Sequence, residues 1–279
     1  MKQFIRQILL LSTLVILLGC NQKKEEKKIE IEKRTMVEMD TDLGLITLEL
    51  YNETPLHRDN FIKLVKAHAY DSVMFHRVIK EFMIQGGDPD SKNATAIDTL
   101  GNGDVDYTIN AEFNPNLFHK KGVLAAARDG NPERASSGMQ FYIVQGKVFN
   151  DSLLEKAEVR INNWLAQHEI QNDKKYKYLL DSLQHAMYSN KQEVYLQYQD
   201  SINVWAKSTK NFVPYTIPEE HRVIYKTIGG TPHLDQNYTV YGEVVKGLTI
   251  VDSIALQATG EFDRPLKDIR IKSMRLIEE

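Results

Sequence analysis

An alternating run from Phe75 to Asp90 limits the fold more than any other stretch of the chain. It reads Phe75-His76-Arg77-Val78-Ile79-Lys80-Glu81-Phe82-Met83-Ile84-Gln85-Gly86-Gly87-Asp88-Pro89-Asp90. Such alternation predicts a pair of β-strands with one buried face, ended by the Gly86-Gly87-Asp88-Pro89 turn. Arg77 stands at the centre of the otherwise apolar run. An arginine on a strand is ordinarily a surface residue. On the wall that carries Phe82 and Met83, it would instead place a permanent cation, with donors in a rigid planar fork, beside an apolar dish. A neutral apolar group could lie in such a dish while its amide accepts hydrogen bonds.

Phe75-His76-Arg77, followed by Phe82-Met83-Ile84-Gln85-Gly86-Gly87-Asp88, resembles the core signature of the cyclophilin-type peptidyl-prolyl cis-trans isomerases. Three further blocks match in order: Gly122 to Arg128, Ser137 to Ile143, and His233 to Val244. The resemblance covers about residues 37 to 150 and 223 to 279. It implies a mainly β fold, a closed antiparallel barrel of about eight strands capped by two helices; closure would leave no exposed sheet edge. It also implies rotation of X-Pro peptide bonds, with Arg77 as the catalytic donor and Gln85 orienting it. Phe82, Met83, Tyr142 and Leu234 would wall the proline pocket, and Ala127, Arg128 and Gln140 would grip the substrate backbone. His233 and Tyr238 complete the implied substrate site. Three positions depart from the family pattern: Tyr142 replaces the usual Phe, His233 stands where many members have Trp, and Tyr238 where many have His. A buried Tyr142 hydroxyl must find a partner, and the altered wall implies weak binding of cyclosporin-type inhibitors.

Residues 1 to 19 read as a lipoprotein signal peptide. Lys2 and Arg6 supply a positive start, and Ile8 to Leu18 form an apolar run of about eleven residues. A spanning helix needs roughly 20 apolar residues, so the run is a signal core rather than a transmembrane segment. Leu17-Leu18-Gly19-Cys20 resembles a bacterial lipobox, with Cys20 lipidated; the alternative is an ordinary secretory signal. Cys20 is the single cysteine, which excludes an intramolecular disulfide. Residues 20 to 36 are dominated by Lys and Glu and read as a charged, solvated tether. Together these features imply a lipid-anchored membrane protein of the bacterial cell envelope, facing the periplasm or the cell surface.

The remainder, 37 to 279, is read as one domain interrupted by a helical insertion at 151 to 222. Val37 to Tyr51 suggests two strands and a turn. Thr54 and Pro55 suggest a helix start, with Phe61, Leu64, Val65 and His68 forming a buried stripe. Further strands are expected at Tyr70 to Gln85, Tyr107 to Ile109, Gly122 to Arg128, Gln140 to Val144, Thr239 to Val245 and Ile269 to Ile277, and a second helix at Leu248 to Leu256. Within the insertion, apolar residues recur at helical spacing in three stripes: Leu154 to Leu165, Tyr176 to Met187 and Val194 to Trp205. Two or three amphipathic helices ending before Pro214 and Pro218 follow from that pattern. Because the insertion runs into the loop of His233 and Leu234, it should stand beside the mouth of the site, as a lid or an extra surface for unfolded polypeptide.

Other chemistries find little support. The histidines show no ligand spacing, so no metal and no cofactor are expected. Asp88-Pro89-Asp90 and Asp104-Val105-Asp106 lack a full calcium loop. Ser136-Ser137-Gly138 is not a nucleophile elbow. A net charge of −3 offers no basic excess for nucleic acid. The expected partners are proline-containing polypeptide clients, the membrane through the N-terminal lipid, and an envelope partner met through the insertion. The alternative to an isomerase assisting protein folding is a non-catalytic polypeptide-binding module or holdase built on the same pocket and insertion.

Overall fold

A computed structural model describes residues 33–277; the expected signal peptide, Cys20 and nearly all of the tether lie outside them. The architecture is a curled eight-stranded sheet with helices around it. Its strands are β1 (Met36–Thr41), β2 (Gly44–Leu50), β3 (Phe75–Ile79), β4 (Met83–Gly86), β6 (Val123–Ala126), β8 (Phe141–Val144), β9 (Val240–Lys246) and β10 (Ile271–Leu276). They run in the order β10-β1-β2-β9-β6-β8-β4-β3, every neighbouring pair antiparallel. The short strands β5 (Thr108–Ile109) and β7 (Ser136–Ser137) pair separately.

The expected closed barrel is not formed. β10 and β3 are the end strands of the sheet, linked at the start of β3 by an isolated bridge between Met74 and Arg270 and by Phe75 N–H donating to Ile269 C=O at 2.9 Å. A register shift between Phe75 and Arg77 then bends β3. Beyond it the chain at Glu261–Asp263, rather than β10, lies against β3. Nor is the chain mainly β. Among the described residues there are six α-helices, α1 (Pro55–Lys66), α2 (Asp151–Ile170), α3 (Lys177–Tyr188), α4 (Gln192–Ser208), α5 (Glu219–Thr227) and α6 (Leu248–Ala255), and helical residues outnumber extended ones. None of these helices is long and apolar enough to cross a membrane.

Side-chain alternation divides the sheet into two faces. Leu124, Ala126, Phe141 and Ile143 point into the main core, where α1 adds Phe61, Leu64 and Val65 and α6 adds Val251, Ile254 and Ala255. Val123, Ala125, Tyr142 and Val144 point the other way, into a smaller cluster with Met83, Leu234 and Val240. That second face carries the site. α1 starts at Pro55 as expected, but Thr54 makes no side-chain cap. The helix is capped from a distance: Glu112 accepts hydrogen bonds from Leu56 N–H and His57 N–H, both at 3.0 Å, and from His57 Nδ1 at 2.7 Å. His68 is not part of the buried stripe. α1 ends at Lys66, and His68 adopts a left-handed φ of 56° that turns it into solvent beside Asp71.

Asn150 caps α2, its side chain accepting Leu153 N–H at 2.9 Å. Its first half packs Leu154, Ala157 and Ile161 on Ile217 and Tyr225. Its second half packs Ala166 and Ile170 on Leu179, Leu183, Ile202 and Ala206 of α3 and α4. Of the expected stripes, Met187, Val194 and Trp205 are exposed. α5 was not expected, because Pro218 reads as a stop; here it is the N-cap that starts a new helix, a place where its fixed φ costs little. α2 also packs on the short turn Pro232–Leu234, which brings Trp164 against the second-face cluster.

Candidate active site

β3 and β4 set the first side of the site. Arg77 lies directly opposite Gln85 in the ladder. The register shift sends Phe75 into the main core and leaves Arg77 on the opposite face, because a one-residue slip reverses which face a side chain meets. A tight crossing holds β4 in place. Gly87 has a φ of 97°, and a Cβ there would come within 2.7 Å of Gln140 Cα.

Arg77, Phe82, Met83, Gln85, Ala127, Arg128, Tyr142, Leu234 and Tyr238 line one cavity of about 140 Å³. Nine of the eleven residues expected from the sequence therefore converge, from β3, β4 and the turn before it, the two residues after β6, β8 and the 234–238 segment. Phe82, Met83, Tyr142 and Leu234 supply the apolar wall. The Arg77 side chain is 43% exposed and so reachable, and its Nε donates to Asp263 Oδ2 at 3.3 Å. Asp263 follows Phe262 in a stretch where both adopt left-handed φ, 57° and 61°. Arg128 lies over the Tyr238 ring at 4.8 Å and donates from Nε to Asn237 C=O at 2.9 Å.

The other two residues stand behind the wall. Gln140 is buried, and its Nε2 donates to Gly101 C=O and Gly103 C=O at 2.9 and 2.7 Å. Its Oε1 accepts Gln85 Nε2 at 3.0 Å. Gln140 thus ties β4 and β8 to the 101–103 loop, and the hydrogen bond of Gln85 runs to Gln140 rather than to Arg77. His233 stacks on Phe82 with ring centroids 5.6 Å apart. Burial, then the charges of Arg160, His119 and Lys147, pull its pKa down to about 3, so at neutral pH it is a flat uncharged ring.

The Tyr142 hydroxyl has a buried partner. It meets His119 Nε2 at 2.9 Å, and His119 Nδ1 meets Asp235 Oδ1 at 2.8 Å. With Nδ1–H given to the carboxylate, Nε2 is left to accept the tyrosine hydroxyl. Asp235 also accepts His119 N–H at 2.9 Å and, through Oδ2, the Tyr225 hydroxyl at 2.7 Å. All four side chains are buried. Burial above all, followed by Tyr238 and Asp235, raises the Tyr142 pKa well above its ordinary value, so it stays protonated as the donor. Sequence reasoning missed His119, Asp235, Tyr225 and Asp263. The only hint was that Asp235 follows Leu234 in the matched block and that Asp263-Arg264-Pro265 reads as a turn. Among the described residues no group of three or more His, Cys, Asp or Glu is arranged to hold a metal ion.

Comparison with known proteins bears directly on this site. The family model described as cyclophilin type peptidyl-prolyl cis-trans isomerase/CLD matches residues 36–170 and 222–276, leaving the α3–α4 region outside the match. The chain belongs to that family. A Staphylococcus aureus (strain USA300) protein, provisionally named a peptidyl-prolyl cis-trans isomerase, is 29% identical over 256 residues, 91% of this chain and 96% of its own. A Staphylococcus saprophyticus protein with the same provisional name is 28% identical over 241 residues, 86% and 90% of the two chains. The crystal structure of a Cryptosporidium parvum cyclophilin type peptidyl-prolyl cis-trans isomerase superposes with a TM-score of 0.53 at 17% identity, over 88% of this chain and 99% of that one. That likeness establishes the fold.

Proposed function

We propose that this protein isomerises X-Pro bonds of exported polypeptides in the cavity below Arg77, assisting their folding at the bacterial cell envelope. Rotation about the bond must break amide resonance, against a barrier of about 18–20 kcal/mol, and unaided exchange takes tens to hundreds of seconds. No covalent bond is made or broken, so the site needs shape and charge rather than a nucleophile. Phe82, Met83, Tyr142 and Leu234 receive the proline ring. As the amide twists, the prolyl nitrogen becomes pyramidal and its lone pair can accept a hydrogen bond. Arg77 donates to it, stabilising the twisted state more than either planar isomer.

The observation that carries this reading is the convergence of a reachable Arg77 and an apolar wall on one cavity. Asp263 and the 85–140–101 hydrogen bonds hold the rim while the proline is inside. Arg77→Ala should lower turnover of a short X-Pro peptide at least about tenfold, roughly 1.4 kcal/mol of transition-state stabilisation, with an unchanged circular dichroism spectrum. Equal turnover in the folded variant would remove Arg77 from the mechanism.

The location rests on the lipobox-like Leu17-Leu18-Gly19-Cys20 and the tether behind it. Lipid on Cys20 would hold the domain at the membrane. α2, whose Trp164 packs against the apolar wall, together with the α3–α4 pair packed on its second half, would grip unfolded clients or an envelope partner. Expression with a labelled fatty acid should mark the wild-type protein and not Cys20→Ser. Equal labelling of both would sink the anchor.

A further inference from the structure

A second cleft, of about 320 Å³, lies beside the proline cavity and shares Arg128 and Tyr238 with it. One bank is the 130–134 loop with Arg134; the other is α2, with Trp164, Gln167, His168 and Gln171. The lining holds two arginines and no Asp or Glu. Among the described residues neither guanidinium is paired with a carboxylate. Arg128 donates to the carbonyls of Asn237 and Asp129, and Arg134 Nη1 donates to Gln236 C=O at 2.9 Å while its guanidinium lies over the Phe113 ring. Glu169, on α2, is engaged elsewhere by Thr209 Oγ1 at 2.8 Å, and Asp129 and Glu133 are exposed on the loop.

Two buried donors of this lining, Arg134 Nε and Asn237 Nδ2, lack a hydrogen-bond acceptor. Leaving such donors buried and unpaired is costly. Burial, then the Arg128 charge, holds the Arg134 pKa below its ordinary value, so its cation is under strain where it sits. His168, depressed by burial and by Arg134, stays a neutral ring. An acceptor-only anion suits this lining: it can pair with the two arginines, whose charges no carboxylate of the cleft neutralises. Because the cleft shares Arg128 and Tyr238 with the proline cavity, a chain held there can reach it, and the anionic side chains of an ordinary polypeptide are Asp and Glu.

We propose that the cleft between α2 and the 130–134 loop is a carboxylate subsite, binding an Asp or Glu a few residues from the isomerised proline. The proposal rests on the isomerase reading for its geometry and adds a client preference to it. The test uses matched fluorescent peptides with one proline and Glu, Gln or Lys at each of several positions on either side. Dissociation constants and cis–trans exchange are measured in parallel on the full chain.

At one or more positions on one side, Glu should bind about fivefold to tenfold tighter than Gln, and Lys more weakly, with the difference shrinking as salt is raised. Arg134→Gln should bring the Glu-to-Gln ratio close to one, while Arg134→Lys keeps much of it; neither should alter binding of the Gln peptide. Gln171→Glu, which installs a carboxylate in the cleft and removes the Gln171 Nε2 donation to Pro132 C=O at 2.7 Å, should also abolish the preference. Equal affinities for Glu and Gln peptides at every position in the wild type would overturn the subsite, as would a ratio that survives both Arg134→Gln and Gln171→Glu. Acid preference without exchange would keep the subsite and remove the isomerase; exchange without acid preference would do the reverse.

Discussion

Tyr142 shows how much a single hydroxyl can commit a site. Its ring belongs to the cavity wall, while its oxygen reaches through the wall to His119 and, by way of Asp235, to Tyr225 on α5. The hydroxyl that looks like a liability from sequence is satisfied by groups 23 residues and more away. Tyr142→Phe would keep the wall and strand an imidazole nitrogen in a buried place. The expected result is a loss of about 1–3 kcal/mol in chemical denaturation, with peptide turnover reduced far less than in Arg77→Ala. An unchanged denaturation midpoint would show that the hydrogen bond contributes nothing net. Phe82, Met83 and Leu234 line the cavity, as residues that need only be apolar and lie within one of the matched blocks. Gln85 and Gln140 stood out in the matched blocks, but their hydrogen bond to each other did not, since a side-chain hydrogen bond depends on which rotamers the neighbouring strands permit.

Individual elements depend on contacts from outside themselves. α1 has a proline at its start and apolar residues at helical spacing, and both were readable. Its cap was not, because the carboxylate that receives Leu56 and His57 N–H comes from Glu112. Burial opposes the Glu112 charge, but hydrogen bonds from His57 and the two backbone groups outweigh it and hold its pKa below the ordinary glutamate value. Glu112→Ala should therefore destabilise the protein by about 1–2 kcal/mol, on the scale of a lost N-cap, seen as a lower midpoint in urea. A midpoint equal to wild type would show that water replaces the cap at no cost. β3 gives the same lesson. Strict alternation would put Phe75 and Arg77 on one face, and the register shift between them puts one in the core and the other in the site.

At the scale of the whole molecule, folding buries histidines that the unfolded chain leaves free to take up a proton. His76 is 4% exposed with neither ring nitrogen paired, and burial above all, joined by Arg77 and opposed by Asp88, pulls its pKa to about 4. Its unfolded value is about 6.5. Between those values the unfolded chain binds the extra proton, so stability is fully present above about pH 6.5 and falls as the pH drops toward 4. The depressed Glu112 acts in the same direction below its ordinary range. Denaturation at pH 7.5 and 4.5 should differ by roughly 2–3 kcal/mol through His76 alone, and His76→Asn should flatten that slope. An equal slope in the variant would place the acid sensitivity elsewhere.

What the amino-acid order determined by itself is local: strand and helix periods, the apolar and cationic residues of the 75–90 run, and the family they resemble. Periodicity and short motifs act over a few residues, so they survive in the sequence whatever surrounds them. What only tertiary structure decided involves groups far apart in the chain. Curvature without closure of the sheet arises where β3 bends away from β10. The Arg77–Asp263 pair spans 186 residues, and the Tyr142–His119–Asp235–Tyr225 chain joins two strands' worth of sequence to a helix that Pro218 had concealed. The cationic cleft likewise exists only because α2 packs against the 232–234 turn and lays its face beside Arg128 and Arg134. Such pairings are chosen by packing two faces of one sheet at once, a condition that no single stretch of residues carries.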